Sequence, residues 1–204
     1  MAKYSSAFCV FFVFISALLS GCIVVRKDLI PKAEPIKPLS ANVQPARVVL
    51  EFVLDGNNGG VATEKSGIWE GHKIWEWHAN VFKEKAKTSG LISLIEPVED
   101  KQATTLKVRA KIYMSQAGQI ATAISMMTLI PTWPDLHYEI YATAITPEGK
   151  SFNYDLRDEL RQINFLPLII VAPFKPSTPD VETVAKNLYS TLFIKMQGDG
   201  VLPR

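Results

Sequence analysis

The thiol of Cys22 and three imidazoles hold most of the chemistry that this chain's residues could perform. Cys22 follows Ser20 and Gly21, residues small enough to let a backbone into a protease cleft, and a cysteine thiolate is a nucleophile. His72 and His78 lie six residues apart. On a helix they point about 120° away from each other, so they cannot share a metal as an i,i+4 pair would. His78 falls on the apolar side of its segment, as a core histidine would. His137 falls on the strand face opposite Leu136, Tyr138 and Ile140, which reads as solvated. Asp155, Asp158 and Glu159 alternate with Arg157 and Arg161, the pattern of a salt-bridged, solvated strand face. The run Gly59-Gly60-Val61-Ala62-Thr63-Glu64-Lys65-Ser66 comes near a phosphate loop but sets Glu64 where glycine is needed. A side chain there would intrude on the phosphates and its charge would repel them. No Gly-x-Ser-x-Gly elbow occurs. These residues predict a chain that is not an enzyme and holds neither metal nor cofactor.

Cys22 has a context the other groups lack. Lys3 precedes an apolar run from Ala7 to Leu19, and Leu19-Ser20-Gly21-Cys22 closes it. A basic start, an apolar stretch of this length and small residues at its end make a secretory signal peptide over residues 1–21. The ending resembles the lipobox of bacterial lipoproteins. That resemblance implies a diacylglyceryl group on Cys22, cleavage before it and acylation of the new N-terminus. Several acyl chains anchor firmly, since each buried methylene contributes about 0.8 kcal/mol. Ile23 stands where the signal for inner-membrane retention resembles an Asp, so the implied address is the outer membrane, lipid-anchored and facing the periplasm. The alternative is an uncleaved anchor helix. Residues 7–25 are uncharged and long enough to span a bilayer. Arg26 and Lys27, however, compete with Lys3 and leave that orientation poorly specified.

Composition narrows the partners. The whole 204-residue chain carries a formal charge of only +2, and removing residues 1–21 takes away one cation and no acid. That is no footprint for nucleic acid. The two cysteines are Cys9, lost with the leader, and Cys22. A lipidated mature chain would have no thiol left for a disulfide or a thiolate metal site.

The elements that position these residues follow from periodicity. Residues 22–46, with Pro31, Pro35, Pro38 and Pro45, read as the lipidated cysteine and a flexible tether leaning toward polyproline geometry. Residues 47–204 read as one α+β domain, a mostly antiparallel sheet with two main helices packed on it. A buried strand starts at Arg47, and a glycine-rich loop spans Asp55 to Gly67. A helix over 68–87 gathers Ile68, Gly71, Ile74, Trp75, His78, Ala79, Val81, Phe82 and Ala86 on one side, leaves Trp77 on the polar side, and stops near Gly90. Strands are expected at 91–95, 104–115 and 120–130, with a turn at Ala117-Gly118. A hairpin joins 136–146 to 151–160. A last helix, with Thr178 as N-cap and Pro179 at its first position, runs until just before Gly198 with Val181, Val184, Ala185, Leu188, Leu192 and Met196 as its stripe. The element order is faintly similar to envelope domains related to the TolB N-terminal domain and to penicillin-binding-protein activators. Leu129 to Pro134 and Leu166 to Phe174 resemble segments of uncharacterised bacterial lipoproteins.

Two apolar stretches, 120–134 and 163–174, stand outside the periodic pattern and are broken by Pro131, Pro134, Pro167 and Pro173. Either they are covered strands and a core-filling loop, or the prolines hold them out of the sheet as an exposed contact patch. The candidate patch is Leu129, Ile130, Trp133, Leu166, Leu168, Ile169 and Phe174. The function expected is non-catalytic binding or scaffolding in the cell envelope, with the membrane as partner through Cys22, another envelope protein as the second, and no nucleic acid. The alternative is a carrier or sensor of a hydrophobic ligand lined by those same stretches, with an enzyme third.

Overall fold

The structure is a computed structural model that describes residues 22–27, 29–37, 39–40, 42–55, 61–62, 69–95, 102–127, 130–164 and 181–204. The elements are β1 (Cys22–Arg26), β2 (Ala46–Asp55), β3 (Val61–Ala62), α1 (Trp69–Ser89), β4 (Ile92–Ile95), β5 (Thr104–Met114), α2 (Gln116–Met127), β6 (Asp135–Ile145), β7 (Ser151–Asn164) and α3 (Val181–Gly198). The chain folds as α+β in two compact units. One comprises residues 27–113, 137–159 and 180–204, the other 1–26, 114–136 and 160–179.

In the larger unit the strands hydrogen-bond in the order β7-β6-β5-β2-β3, with β4 also on β2. The sheet is mixed, a correction to the mostly antiparallel expectation. β2 pairs in parallel with β4, from Ala46↔Ile92 to Val49↔Ile95, and with β5, from Val48↔Thr104 to Asp55↔Lys111. The cause is α1. Its 21 residues rise about 31 Å, close to the roughly 33 Å length of a ten-residue strand. The helix therefore returns the chain to the start of β2, and the next strand enters in the same direction.

The helical stripe of α1 buries Trp75, His78, Ala79, Val81, Phe82 and Ala86. Ile74, at the margin of that stripe, is exposed instead. Trp75 Nε1 donates to Phe52 O at 2.9 Å, which pins the helix to β2. Phe82 meets Tyr189 and Phe193 of α3 edge-on, at 5.1 and 5.4 Å between centroids. From α3, Val184, Ala185, Leu188, Leu192 and Met196 are buried as their spacing predicts. Its expected N-terminal signals, Thr178 and Pro179, lie outside the described residues. Gly90 follows α1 at φ +68°, a left-handed stop that suits glycine. After α3, Gly200 takes φ +77°, Val201 N–H donates to Met196 O and Gly200 N–H to Gln197 O. That pair of bonds satisfies the orphan carbonyls of the last turn. The expected hairpin joins β6 to β7, closed by Thr146 N–H to Lys150 O at 2.9 Å.

Two stretches differ from their sequence reading. The apolar run expected as a strand from Ile120 is α2, and Ala117-Gly118 is its first turn. A short apolar run without charges has no period that separates a covered strand from a helix. Residues 22–26, read as part of a tether, form β1 and pair antiparallel with β7 from Cys22↔Asn164 to Arg26↔Leu160. Beyond them, Asn187 Oδ1 accepts Ala33 N–H at 2.7 Å and its Nδ2 donates to Pro31 O at 3.2 Å. Prolines exclude a central strand, but they leave carbonyls free to be bound.

Candidate functional site

In the smaller unit α2 is built from its first turn. Ser115 sits at the N-cap, its Oγ accepting Gly118 N–H at 3.1 Å and its carbonyl Gln119 N–H at 2.9 Å. Among its described side chains the usual arrangement is reversed. Gly118 and Ser125 are buried, while Ile120 and Ile124 are 55% and 44% exposed. Gly118 fixes that rotation. A Cβ there would fall 2.8 Å from Met114 Cγ and 3.2 Å from both Pro134 Cβ and Ser115 Oγ, so no larger residue fits without movement. Thr122, half-buried, returns its hydroxyl to Gly118 O at 2.9 Å, so its polar group is satisfied within the helix.

Beyond α2 the chain continues through Ile130 and Trp133, 58% and 56% exposed. Pro134 O accepts Gln162 N–H of β7 at 2.9 Å. Arg161 grips both carboxylate oxygens of Asp135, at 2.9 and 3.2 Å. Gln162 in turn is the register partner of Val24 on β1. Three contacts thus join the strand that starts at Cys22 to the buried side of α2. From Gln116 to Pro134 the chain has no ionisable side chain.

Of the candidate patch, Ile130 and Trp133 are exposed in this unit. Leu129, Leu166, Leu168, Ile169 and Phe174 lie outside the described residues, as do Leu19-Ser20-Gly21. Cys22 is the first residue of β1. Ile120 and Ile124 stand outside the candidate patch, since the sequence from Ile120 reads as a strand. Read as a helix, their i,i+4 spacing would have placed them side by side.

The larger unit carries a second, polar constellation on the sheet. Tyr113 and Tyr141 both donate to Glu139, at 2.9 Å to Oε1 and 2.8 Å to Oε2. Glu159 accepts Lys27 Nζ at 2.7 Å and stands 2.9 Å from His137 Nδ1. The His137 and Tyr113 rings stack at 4.9 Å. His137 is therefore half-buried and partnered, not simply solvated. Lys27, through its hydrogen bond, is the leading cause that holds the Glu159 carboxyl below its usual range. The Glu139 hydrogen bond raises the Tyr141 phenol, whereas for Tyr113 burial leads and Glu139 adds to it. Asp158 is a further correction. Its alternation with Arg157 and Arg161 points to the solvated face, but period 2 sets it with Tyr154, Leu156 and Leu160, and it is 1% exposed. Its Oδ1 accepts the N–H groups of Leu29 and Glu159, at 3.1 and 2.9 Å. Each hydrogen bond of this constellation satisfies a donor or acceptor already present, which is the work of a structural network.

Of the other two histidines, the side chain of His72 lies outside the described residues and His78 behaves as expected. His78 is 2% exposed, its Nδ1 2.7 Å from the Tyr138 hydroxyl, and burial lowers its pKa to about 3. Trp77 is 38% exposed on α1. The near phosphate loop, apart from Val61 and Ala62, falls outside the described residues. Among the described residues no group of three potential His, Cys, Asp or Glu ligands forms, and no helix is long and apolar enough to cross a membrane.

No family model matches this chain, and no curated protein matches it. Solved structures with a similar course of chain include rare lipoprotein B from Shewanella oneidensis, 11% identical over 75% of this chain and 96% of that one, TM-score 0.42. A minor lipoprotein from Acinetobacter baumannii is 10% identical over 77% and 93%, TM-score 0.39.

Proposed function

We propose that this chain is a lipid-anchored protein of the bacterial cell envelope, held by an acylated Cys22 on the periplasmic face of the outer membrane. Its folded part binds or scaffolds another envelope component and catalyses nothing. The observation that carries the reading is the leader: Lys3, the apolar run Ala7–Leu19, then Leu19-Ser20-Gly21-Cys22. Ile23 in place of an acid supports the outer membrane. In support of a non-catalytic role, Glu139 and Glu159 each already hold two partners on the sheet, Tyr113 with Tyr141 and Lys27 with His137. Exposed Ile120, Ile124, Ile130 and Trp133 favour an outward contact over the lining of a ligand pocket.

Fractionation of cells expressing the full chain tests the anchor. The wild-type chain should sediment with outer membranes, and Cys22→Ser should leave them. Sedimentation of both alike contradicts the reading. Photo-cross-linking from Trp77 in intact cells tests the partner. A single specific adduct supports a scaffold, and the absence of any adduct from that and other surface positions contradicts it.

A further inference from the structure

We infer that the outward face of α2, Ile120 and Ile124 together with Ile130 and Trp133, rests on the lipid surface beside the acylated Cys22. The inference deepens the anchoring proposal and depends on it.

The inversion of α2 is the starting observation. A helix on a soluble domain turns its large apolar residues inward. Among its described side chains, this one turns inward Gly118, Ser125 and the half-buried Thr122, and sends two isoleucines out. The rotation is no accident of a loose fit, because the space at Gly118 is closed by Met114, Pro134 and Ser115. The same unit continues the apolar surface through Ile130 and Trp133, so the exposed groups come from three successive parts of one chain segment.

Lipid is the occupant that suits this surface. The segment from Gln116 to Pro134 has no ionisable group, so nothing in it resists the boundary between headgroups and acyl chains. Trp133 supplies the side chain type favoured at that depth. A protein-facing patch is usually rimmed by charged contacts and enriched in arginine, and this stretch carries no charge and no arginine. Position supplies the other half of the argument. Val24 of β1 is in register with Gln162, Gln162 N–H bonds to Pro134 O, and Pro134 closes on Gly118. A strand whose first residue carries the anchor is thereby tied to the helix by short contacts within one compact unit. Acylation would hold the protein to the bilayer, and α2 would set which way it faces.

The test uses the full chain, expressed with its leader and purified in acylated form. Once Cys22 is acylated and the leader is gone, no other thiol remains, so an environment-sensitive fluorophore can be placed on Ile124→Cys, on Trp133→Cys, or on the exposed control Lys83→Cys. The labelled proteins are reconstituted in phosphatidylethanolamine–phosphatidylglycerol vesicles, with and without brominated acyl chains. Intact mass reports acylation of each sample. Blue-shifted emission at 124 and 133 that brominated lipid quenches, with label 83 unaffected, is the expected result. Water-like, unquenched emission at 124 and 133 on protein of acylated mass overturns the inference and leaves the anchor standing. A mass showing a bare Cys22 overturns both. A blue shift that appears in native outer membranes but not in pure vesicles overturns the lipid assignment in favour of a protein surface.

Discussion

Gly118 and Pro134 approach each other so closely that a methyl group on the glycine would lie 3.2 Å from the proline Cβ. Met114 Cγ would be closer still, at 2.8 Å. This contact decides which side of α2 meets the protein and which side meets its surroundings. Alanine in place of a helical glycine gains about 1 kcal/mol of helix propensity, while overpacking a filled site costs about 1–3 kcal/mol. Gly118→Ala should therefore lower stability slightly, and Gly118→Val by about 1–3 kcal/mol more, since a branched side chain loses the propensity gain as well. Urea unfolding measures the difference, and amide exchange across 116–124 should accelerate in the valine variant.

The buried pair His78 and Tyr138 sets a pH dependence. Burial lowers the His78 pKa from 6.5 to about 3, so below pH 6.5 the unfolded chain binds a proton that the folded chain refuses. Stability contributed by the neutral ring is complete above 6.5 and is lost as pH falls toward 3. The loss is about 2 kcal/mol between pH 6.5 and pH 5. Denaturant midpoints across that range should fall in the wild type. His78→Gln, which can still meet the Tyr138 hydroxyl but cannot titrate, should remove this part of the slope. An unchanged slope would show that the imidazole is not the responsible group.

Glu139 accepts two phenols on one carboxylate, and its hydrogen bond is the leading cause that raises Tyr141. In Glu139→Gln the charge is gone while the side chain keeps its size. Ultraviolet titration should show Tyr141 ionising closer to the ordinary tyrosine range, with a smaller change at Tyr113, where burial leads. Identical curves for both proteins would contradict the assigned cause.

Asn187 ties residues 31–33 to α3 through both ends of its amide. Asn187→Ala should cost about 1–3 kcal/mol, the range for lost hydrogen bonds to groups that remain half-buried. The same change should open the chain near Lys32 to trypsin, and the rate of cleavage there is the readout.

How much of this could be read from the sequence differs by element. The stripes of α1 and α3 and the alternation of β5 were legible, because charged residues mark the solvent side of each. α2 was not: its run has no charge to show a period, and its rotation depends on Gly118 meeting a proline sixteen residues later. β1 was hidden by the prolines that follow it, since a partner strand more than a hundred residues away decides its fate. The Tyr113, His137, Glu139 and Glu159 constellation joins different strands, and only their register brings the groups together. Alternation did place most of these groups on outward faces, but it cannot say which carboxylate meets which ring. Asp158 was legible in principle, because period 2 sets it with Leu156 and Leu160. Its charge drew it instead to the wrong face.

The most direct measurement is the intact mass of the protein extracted from membranes of cells that express the whole gene product. Anchoring at Cys22 predicts a chain that begins at Cys22 and is heavier than its residues by a diacylglyceryl group and an acyl chain, with Cys22→Ser lacking that addition. A chain that still carries residues 1–21, or one that begins at Cys22 with an unmodified thiol, would contradict it.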